Sequence, residues 1–265
     1  ESIKFLIGQK YPLNLKYYKY FVRNYLYKMK IAVYTAIFGE YNPLREIPEQ
    51  SIEADYICFC DNDNYHANGW NVIKTEYPRK DFHARLRSRY FKILPHYLVE
   101  LNNYDVVIWI DGSFEIKDKD FIKFCIEGLA DSDMVLFKHP QRDCIFEEFL
   151  AGDQIRKYDF EDKIEQRLDY RQRYPEHGGL YATGISARKH KSDKVIKVMN
   201  DWWNEILKYS VQDQVSFPVA CLQNKFHPNT FKENQLENKY FNILWKDDIQ
   251  KKNKLSSRPS KRATL

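Results

Sequence analysis

Short apolar runs alternate with amphipathic stretches along most of the chain, and the two patterns predict different elements. Near-continuous apolar runs predict buried β-strands over 29–37, 55–60, 70–76, 105–110, 134–138 and 180–188. Apolar residues spaced three or four apart predict helices over 83–101, 119–129, 144–157, 160–173, 192–209 and 213–224. This alternation predicts an α/β fold, in which helices flank a mostly parallel central sheet.

A basic, aromatic helix is predicted over 14–28, before the first strand. The formal charge is +6 over residues 1–30 and +5 over 246–265, which leaves −6 for 31–245. We therefore expect a helical arm, or a linker from an upstream domain, over 1–29. A single domain is expected over 30–245, followed by a basic, flexible tail over 246–265.

This distribution of charge bears on the partners of the protein. A basic surface for duplex nucleic acid belongs on the folded body. Here the body is acidic and the ends are basic, so nucleic acid is not an expected partner. The basic ends suit an anionic lipid surface or an acidic protein. The arm can therefore lie on a membrane, although packing on the main domain is the simpler expectation.

The cysteines and the absence of long apolar runs bear on the compartment. Five cysteines, with no Cys-x-x-Cys pair, are expected to be reduced and mostly buried. The sequence contains no run of ~20 apolar residues, and its first residues do not have the pattern expected of a secretory leader. These features predict a cytoplasmic protein, with peripheral contact at the inner membrane face as an option.

Four basic residues form a row along the helix predicted over 83–101. At 100° per residue, Arg85, Arg89, Lys92 and His96 fall within about 60° of one another. Stacked like charges weaken a helix unless an anion offsets them, and a diphosphate would do so. A solvated face with acidic neighbours explains the row equally well. Pro95 is expected to kink or end this helix.

Carboxylates follow two of the predicted strands. Strand 105–110 ends in Asp111, Gly112 and Ser113, and strand 55–60 ends in Asp61. Ligands of open α/β sheets bind beyond the carboxyl ends of the strands, so Asp111 is placed to hold a hydrated cation or a ribose hydroxyl. Mg²⁺ or Mn²⁺ often takes one or two carboxylates together with phosphate oxygens. Either segment can also be an ordinary turn.

Further candidates for acid–base or binding roles follow strand 134–138 and the last helices. His139, Arg142 and Glu147 can serve in acid–base chemistry or anion binding, or can mark a helix N-terminus. Asp213 can be a catalytic carboxylate or a helix cap.

Two ring side chains are less specific candidates. Trp203 is either a core residue or a platform for a sugar ring. His227 is a candidate metal ligand, although a single histidine is more often structural. The chain contains no Walker loop and no GxGxxG, GxSxG or HExxH motif.

The motifs occur in a characteristic order. They are Ile31–Tyr41 (IAVYTAIFGEY), Cys58-Phe59-Cys60-Asp61, Gly69-Trp70, Arg89-x-x-Lys92-x-x-Pro95-His96, Trp109-Ile110-Asp111-Gly112-Ser113, His139-Pro140-x-Arg142-Asp143-Cys144-Ile145-x-Glu147, Gly179-Leu180-Tyr181, Trp202-Trp203 and Gln212-Asp213-Gln214-x-Ser216-Phe217. This order, over about 31–222, resembles a glycosyltransferase-like family of the TOD/MUCI type from plants and bacteria. No single motif is specific, so the resemblance rests on the series.

The resemblance implies a GT-A-like fold, a Rossmann-type α/β sandwich that uses a nucleotide-sugar donor. Together with the patterns above, it suggests donor-side residues Asp61, Arg85, Arg89, Lys92, His96, Asp111 and Ser113. The suggested acceptor-side residues are His139, Arg142, Gly179, Trp203 and Gln214. For an inverting enzyme, Asp213 and Glu147 are the candidate general bases.

A divalent cation, Mn²⁺ or Mg²⁺, is an expected cofactor, with Asp111 and His227 as candidate ligands. Asp111 stands where GT-A enzymes carry an Asp-x-Asp metal motif, but here the motif is Asp-Gly-Ser. This departure puts metal dependence in question. Gln212 stands where the family favours Arg, so any contact from that position with an anion is lost.

The expected function is therefore transfer of a sugar from a nucleoside diphosphate sugar to a saccharide or glycoconjugate acceptor, in surface or capsular polysaccharide synthesis. One alternative is a glycosyl-phosphate or phosphoryl transferase in polymer assembly, which would use the same cations. The other is a degenerate, non-catalytic domain that binds a sugar or a partner.

Overall fold

A computed structural model describes residues 29–39, 42–67, 69–77, 79, 81–154 and 163–244. The predicted arm helix over 14–28 and the predicted tail over 246–265 lie outside the described residues. In the described part of the chain, no helix has the length and apolar character needed to cross a membrane. The five cysteines are all buried and free, as predicted from the sequence.

Nine strands form two sheets in the described residues. In chain order they are β1 (Ile31–Ile37), β2 (Asp55–Cys60), β3 (Asn71–Lys74), β4 (Val106–Ile110), β5 (Phe114–Ile116), β6 (Met134–Lys138), β7 (Tyr181–Arg188), β8 (Asn229–Thr230) and β9 (Phe241–Ile243). Seven of them form the central sheet, in the order β3-β2-β1-β4-β7-β6-β8. The other two, β5 and β9, pair as a small antiparallel sheet.

Six strands of the central sheet run in one direction, and β7 alone runs against them. The part of the order that reads β3-β2-β1-β4 is that of a Rossmann-type sheet. The chain leaves β1 toward one side of the sheet and returns on the other side at β4. Such a reversal opens a crevice beyond the carboxyl ends of β1 and β4, where ligands bind in this class of fold.

Six α-helices cover the sheet in the described residues. They are α1 (Ala84–Ile93), α2 (Phe121–Leu129), α3 (Ile145–Gln154), α4 (Ile164–Arg173), α5 (Asp193–Lys208) and α6 (Asp213–Gln223). One apolar core joins α1, α5 and α6 to one face of the sheet. A second core joins α2 and the small sheet to the other face. The α/β class predicted from the sequence is confirmed, with a large, mostly parallel sheet flanked by helices.

Burial on both faces explains why the central strands are almost continuously apolar. In β1, Tyr34 belongs to the first core and Val33 to the second, and all seven residues of the strand are buried. The same alternation places Ile57 and Phe59 of β2 in the first core, while Cys58 and Cys60 lie in a small cluster on the opposite face. The predicted common orientation of the two cysteines is thereby confirmed.

The helix predicted over 83–101 ends at Ile93, eight residues early. Leu94 leaves the helical region with φ −113° and ψ 48°, and its N–H donates to the Tyr90 carbonyl. Pro95 then begins a short 3₁₀ turn. Proline has no N–H to continue the helix, and its ring disfavours helical geometry at the residue before it.

Three short strands, β5, β8 and β9, do not appear in the sequence-based prediction. Each has two or three residues, and so a two-residue period cannot be recognised in them. Their backbones are ordered by pairing with distant partners, such as Phe114 with Ile243.

Candidate active site

Most of the candidate residues lie along the edge formed by the carboxyl ends of the parallel strands. Asp61 directly follows β2, Asp111 follows β4 and His139 follows β6. Gly179 lies just before β7, which runs the opposite way and therefore begins at the same edge. Asp213, the first residue of α6, reaches this edge as well, because it shares a lysine with Asp111.

Lys92 lies at the centre of a buried polar cluster, with only 1% of its side chain exposed. Its ammonium group donates to Asp213 Oδ2 at 2.5 Å, Thr183 Oγ1 at 3.1 Å and Asp111 Oδ1 at 3.2 Å. These three acceptors use all three hydrogens of the ammonium. Helical side chains lean toward the helix N-terminus. The N-terminus of α1 lies beside Gly39 at this edge, so an amine from its last turn reaches the strand ends.

Asp213 is the anionic partner of two cations. Its Oδ1 lies 3.2 Å from Arg89 Nη2, and its Oδ2 accepts from Thr183 at 2.8 Å as well as from Lys92. Burial by itself would raise the pKa of this carboxyl, but Arg89 and Lys92 outweigh burial and hold that pKa well below its usual value. Asp213 is therefore ionised at neutral pH and is a weak proton acceptor.

Asp111 is positioned rigidly by its neighbours. Its Oδ1 accepts from Trp109 Nε1 at 2.6 Å in addition to Lys92, and its backbone N–H donates to the Gly184 carbonyl at 2.8 Å. A Cβ atom on Gly112 would lie 3.2 Å from a side-chain carbon of Ile37, so glycine allows the turn to pack against β1.

A small cleft of about 20 Å³, room for about one water molecule, lies beside Asp111. Thr35, at the middle of β1, lines it and is buried, and its hydroxyl has no hydrogen-bond partner among the described residues. Arg45 and Trp70 line the cleft as well. Ser113 is the last residue of the turn after Asp111 and is partly exposed. The edge therefore carries a small cleft next to a fixed carboxylate.

The Asp61 carboxylate holds the segment after β1 and contacts a cation of α1. Its Oδ2 accepts from the Gly39 N–H at 2.9 Å and lies 3.6 Å from Arg87 Nη1. Arg87 stacks over Phe38, 4.1 Å from the ring centroid, and was not a candidate from the sequence because it lies outside the basic row. Arg85, which was a candidate, lies partly buried in the first turn of α1.

His139 is a buried, neutral histidine at the end of β6. Its Nδ1 accepts from the Arg142 N–H at 3.1 Å. Burial, and then the neighbouring Arg142 charge, lowers the pKa of this imidazole to about 4. The Arg142 side chain pairs with Glu148, whose Oε2 lies 2.6 Å from Arg142 Nη2. Glu147, the carboxylate selected from the sequence, is exposed in the first turn of α3.

Three further acceptor-side candidates have different surroundings. Gly179 has a φ of 103°, a conformation that favours glycine, and its N–H donates to the Asp143 carbonyl. Gln214 is partly exposed, directly after Asp213 at the edge. Trp203 projects from α5, with its ring 5.4 Å from that of Tyr90 on α1, in a surface groove between the two helices.

The prediction that His96 belongs to the basic row is wrong, because α1 ends before it. His96 lies in the 3₁₀ turn at the far end of α1, where its Nε2 meets Asn200 Oδ1 at 3.0 Å. Burial lowers the pKa of this imidazole. The N-terminus of α1, with Arg85, is at the candidate edge, so the turn after its C-terminus is directed away from it.

His227 and Asp111 lie at opposite edges of the sheet. Asn229 of β8 pairs beside Val135 near the start of β6, so His227 precedes the amino-terminal edge. Three strand positions separate β8 from β4. At ~3.3 Å per residue and ~4.8 Å per strand, the two side chains begin roughly 20 Å apart. Oxygen ligands of one cation lie within about 5 Å of each other, so the two residues cannot share an ion.

The surroundings of Asp111 fit a divalent cation poorly. Among the described residues, no group of three or more His, Cys, Asp or Glu side chains is arranged to hold a metal. Asp213 contacts the same lysine as Asp111 and is the next carboxylate in this cluster. Both of its oxygens already contact cations. The positive ammonium of Lys92 lies 3.2 Å from Asp111 Oδ1 and would repel a metal ion bound to that oxygen.

A comparison with protein families identifies the class of domain. The profile of the TOD1/MUCI70 glycosyltransferase-like domain matches residues 61–246, well over half of the chain. The chain belongs to the TOD1/MUCI70 family. No curated protein matches it.

The TOD1/MUCI70 match begins at Asp61 and includes every candidate residue named above. It leaves out β1 and β2, although both strands belong to the central sheet and β1 pairs with β4 inside the match. The resemblance inferred from the motifs is confirmed, and the domain is glycosyltransferase-like with a Rossmann-like sheet.

Proposed function

We propose that this TOD1/MUCI70 domain transfers a sugar from a nucleoside diphosphate sugar to a hydroxyl of a saccharide or glycoconjugate acceptor. The supporting observation is the cluster of buried Lys92 and Asp213 with the partly exposed Asp111, beside the crevice between β1 and β4. Nucleotides bind at this position in open α/β sheets. A role in surface or capsular polysaccharide synthesis and a cytoplasmic location stay predictions from the sequence.

On the donor side, the carboxylates orient the donor and the arginines of α1 stabilise charge. Among the described residues, both hydrogen bonds that the Asp111 side chain accepts go to Oδ1, which leaves Oδ2 to accept one from a hydroxyl of the donor. Asp61 lies near the nucleoside. Arg85 and Arg89 offset the charge that develops on the leaving diphosphate, which is the main electrostatic requirement of the reaction.

On the acceptor side, the two carboxylates named as candidate bases have different tasks. Asp213 holds Arg89 and Lys92 in place, because its low pKa and two ion pairs suit a positioning residue. Glu147 is exposed at the same edge and is the general base of an inverting reaction. His139 and Arg142 shape the acceptor side, with Arg142 held by Glu148.

The test is a thermal-shift screen of UDP-, GDP-, CMP- and CDP-linked sugars, followed by product analysis with the donor that binds. A ligand at a hundredfold excess over its Kd adds about 2.7 kcal/mol of stability. Transfer of the sugar alone supports the proposal. A product that retains phosphate would indicate the glycosyl-phosphate transferase instead. Binding without turnover would indicate a degenerate domain, and the absence of any shift would contradict a donor site.

Activity and unfolding measurements on variants distinguish the proposed role of Glu147 from that of Asp213. Glu147→Gln should keep the wild-type melting temperature and lower kcat by ~10²–10⁴, as expected for a general base. Asp213→Asn should lower the free energy of unfolding by about 3–5 kcal/mol, because it leaves two buried cations without their anion. Glu165→Gln, at an exposed position of α4, is the matched control. An unchanged kcat in Glu147→Gln would remove the base role.

A further inference from the structure

The ammonium group of Lys92 lies between two carboxylates at the carboxyl ends of the strands. It contacts Asp111 Oδ1 and Asp213 Oδ2, and its third hydrogen goes to the hydroxyl of Thr183. The lysine side chain is 1% exposed, so water does not compete for these contacts. A cation is therefore built into the chain beside Asp111.

The lone pairs of Asp111 and Asp213 leave little room for a second cation. Each carboxylate oxygen has about two lone pairs, and Asp111 Oδ1 accepts from both Lys92 and Trp109. Asp213 Oδ2 accepts from both Lys92 and Thr183, while its Oδ1 contacts Arg89. Among the described residues, Asp111 Oδ2 is the one carboxylate oxygen of this cluster that contacts no cation or hydrogen-bond donor of the protein. A divalent ion bound to it would lie next to a fixed positive charge.

We propose that Lys92 takes the place of a divalent cation in this site, so that the domain binds its nucleotide donor without a metal. The inference rests on the proposed donor site and concerns how that site is neutralised. Lys92 cancels the charge of Asp111, and a diphosphate can therefore approach the edge without repulsion from this carboxylate. Because its hydrogens are all used within the protein, Lys92 acts as a fixed charge rather than as a direct diphosphate ligand.

The test is calorimetric titration with UDP and GDP, each in EDTA and in excess Mn²⁺. For the nucleotide that binds, we expect Kd values that agree within about twofold in the two conditions. Binding at least tenfold tighter with Mn²⁺, with this gain lost in Asp111→Asn, would overturn the proposal. This comparison uses the wild-type protein and so does not depend on the folding of a lysine variant.

Lys92→Met provides a second readout, because it keeps the length of the side chain and removes its charge. Asp111 is then free to take a metal, so nucleotide binding should become at least tenfold tighter in Mn²⁺ than in EDTA. Lys194→Met, on the exposed face of α5, is the control and should stay insensitive to Mn²⁺. A folded Lys92→Met variant that binds the nucleotide equally well in EDTA and in Mn²⁺ would contradict the proposal that Lys92 takes the place of a metal.

Failure of the donor site is distinguishable from failure of this inference. If neither UDP nor GDP binds in either condition and none of the nucleotide-linked sugars shifts the melting temperature, the proposed function is contradicted. Electron paramagnetic resonance of Mn²⁺ with the nucleotide-free protein then decides the metal question. We expect no bound Mn²⁺ that depends on Asp111. A signal from bound Mn²⁺ that is lost in Asp111→Asn would show that Asp111 binds a metal and would contradict the proposal.

Discussion

Lys92 and Asp213 acquire their roles from partners that are distant in sequence. Lys92 lies 19 residues from Asp111 and 121 residues from Asp213, yet it contacts both. A lysine expected to face a diphosphate is instead buried among protein acceptors. The residue type and its helical spacing predict a cation near the edge, whereas its contacts decide that the cation acts within the protein.

A second residue-scale consequence concerns His139 and pH. Its imidazole has a pKa lowered to about 4 in the fold, mainly by burial, against ~6.5 in the unfolded chain. Between these values the unfolded chain binds the proton and the folded chain does not, so stability falls as pH falls. From pH 7 to pH 5, His139 should contribute a loss of about 2 kcal/mol in the free energy of unfolding.

Urea unfolding of wild type and His139→Gln at pH 7, 6 and 5 measures this contribution. The variant should lose about 2 kcal/mol less than wild type over this range. His66→Gln, at an exposed position, is the control and should follow the wild-type dependence. Parallel curves for His139→Gln and wild type would show that the imidazole is not held neutral in the fold.

At the scale of elements, the turn between β4 and β5 depends on a single glycine. A Cβ atom on Gly112 would lie 3.2 Å from Ile37 and 3.3 Å from Asn42. Gly112→Ala should therefore displace the turn that carries Asp111. We expect a loss of about 1–3 kcal/mol in the free energy of unfolding, together with weaker nucleotide binding.

Urea unfolding and nucleotide titration of Gly112→Ala measure the two effects. Ser113→Ala adds no atoms at the neighbouring position and is the control for unfolding stability. An unfolding free energy of Gly112→Ala equal to that of wild type would mean that the turn yields without cost, and the close packing would then not position Asp111.

At the scale of the whole molecule, the described residues, which begin at Met29, form sheets and helices that enclose apolar cores of their own. A chain that begins at Met29 should therefore keep a melting temperature within about 5 °C of the full chain, a change of about 1–2 kcal/mol. It should also bind anionic vesicles more weakly, since the segment removed carries a charge of +5.

Thermal unfolding and vesicle co-sedimentation of the two chains provide the measurements. A drop in melting temperature of 15 °C or more would make 1–28 part of the folded core rather than an arm. Equal sedimentation of both chains with anionic vesicles would contradict the membrane role of the basic helix.

The sequence by itself determined the α/β class, the positions of the main strands and helices, the buried cysteines and the family. These features follow from local periodicity and from the order of motifs, which need no knowledge of distant contacts. The carboxylates Asp61 and Asp111 were also predictable, because strand ends in open sheets are where polar ligand-binding residues accumulate.

Only the tertiary structure decided what these residues contact. The ion pairs of Lys92, the position of His227 at the far edge and the salt bridge of Arg87 join segments that no local pattern relates. The short strands β5, β8 and β9 likewise exist because distant backbones pair with them. Periodicity reports which face of an element is buried, whereas the partners of a buried charge depend on how the elements pack.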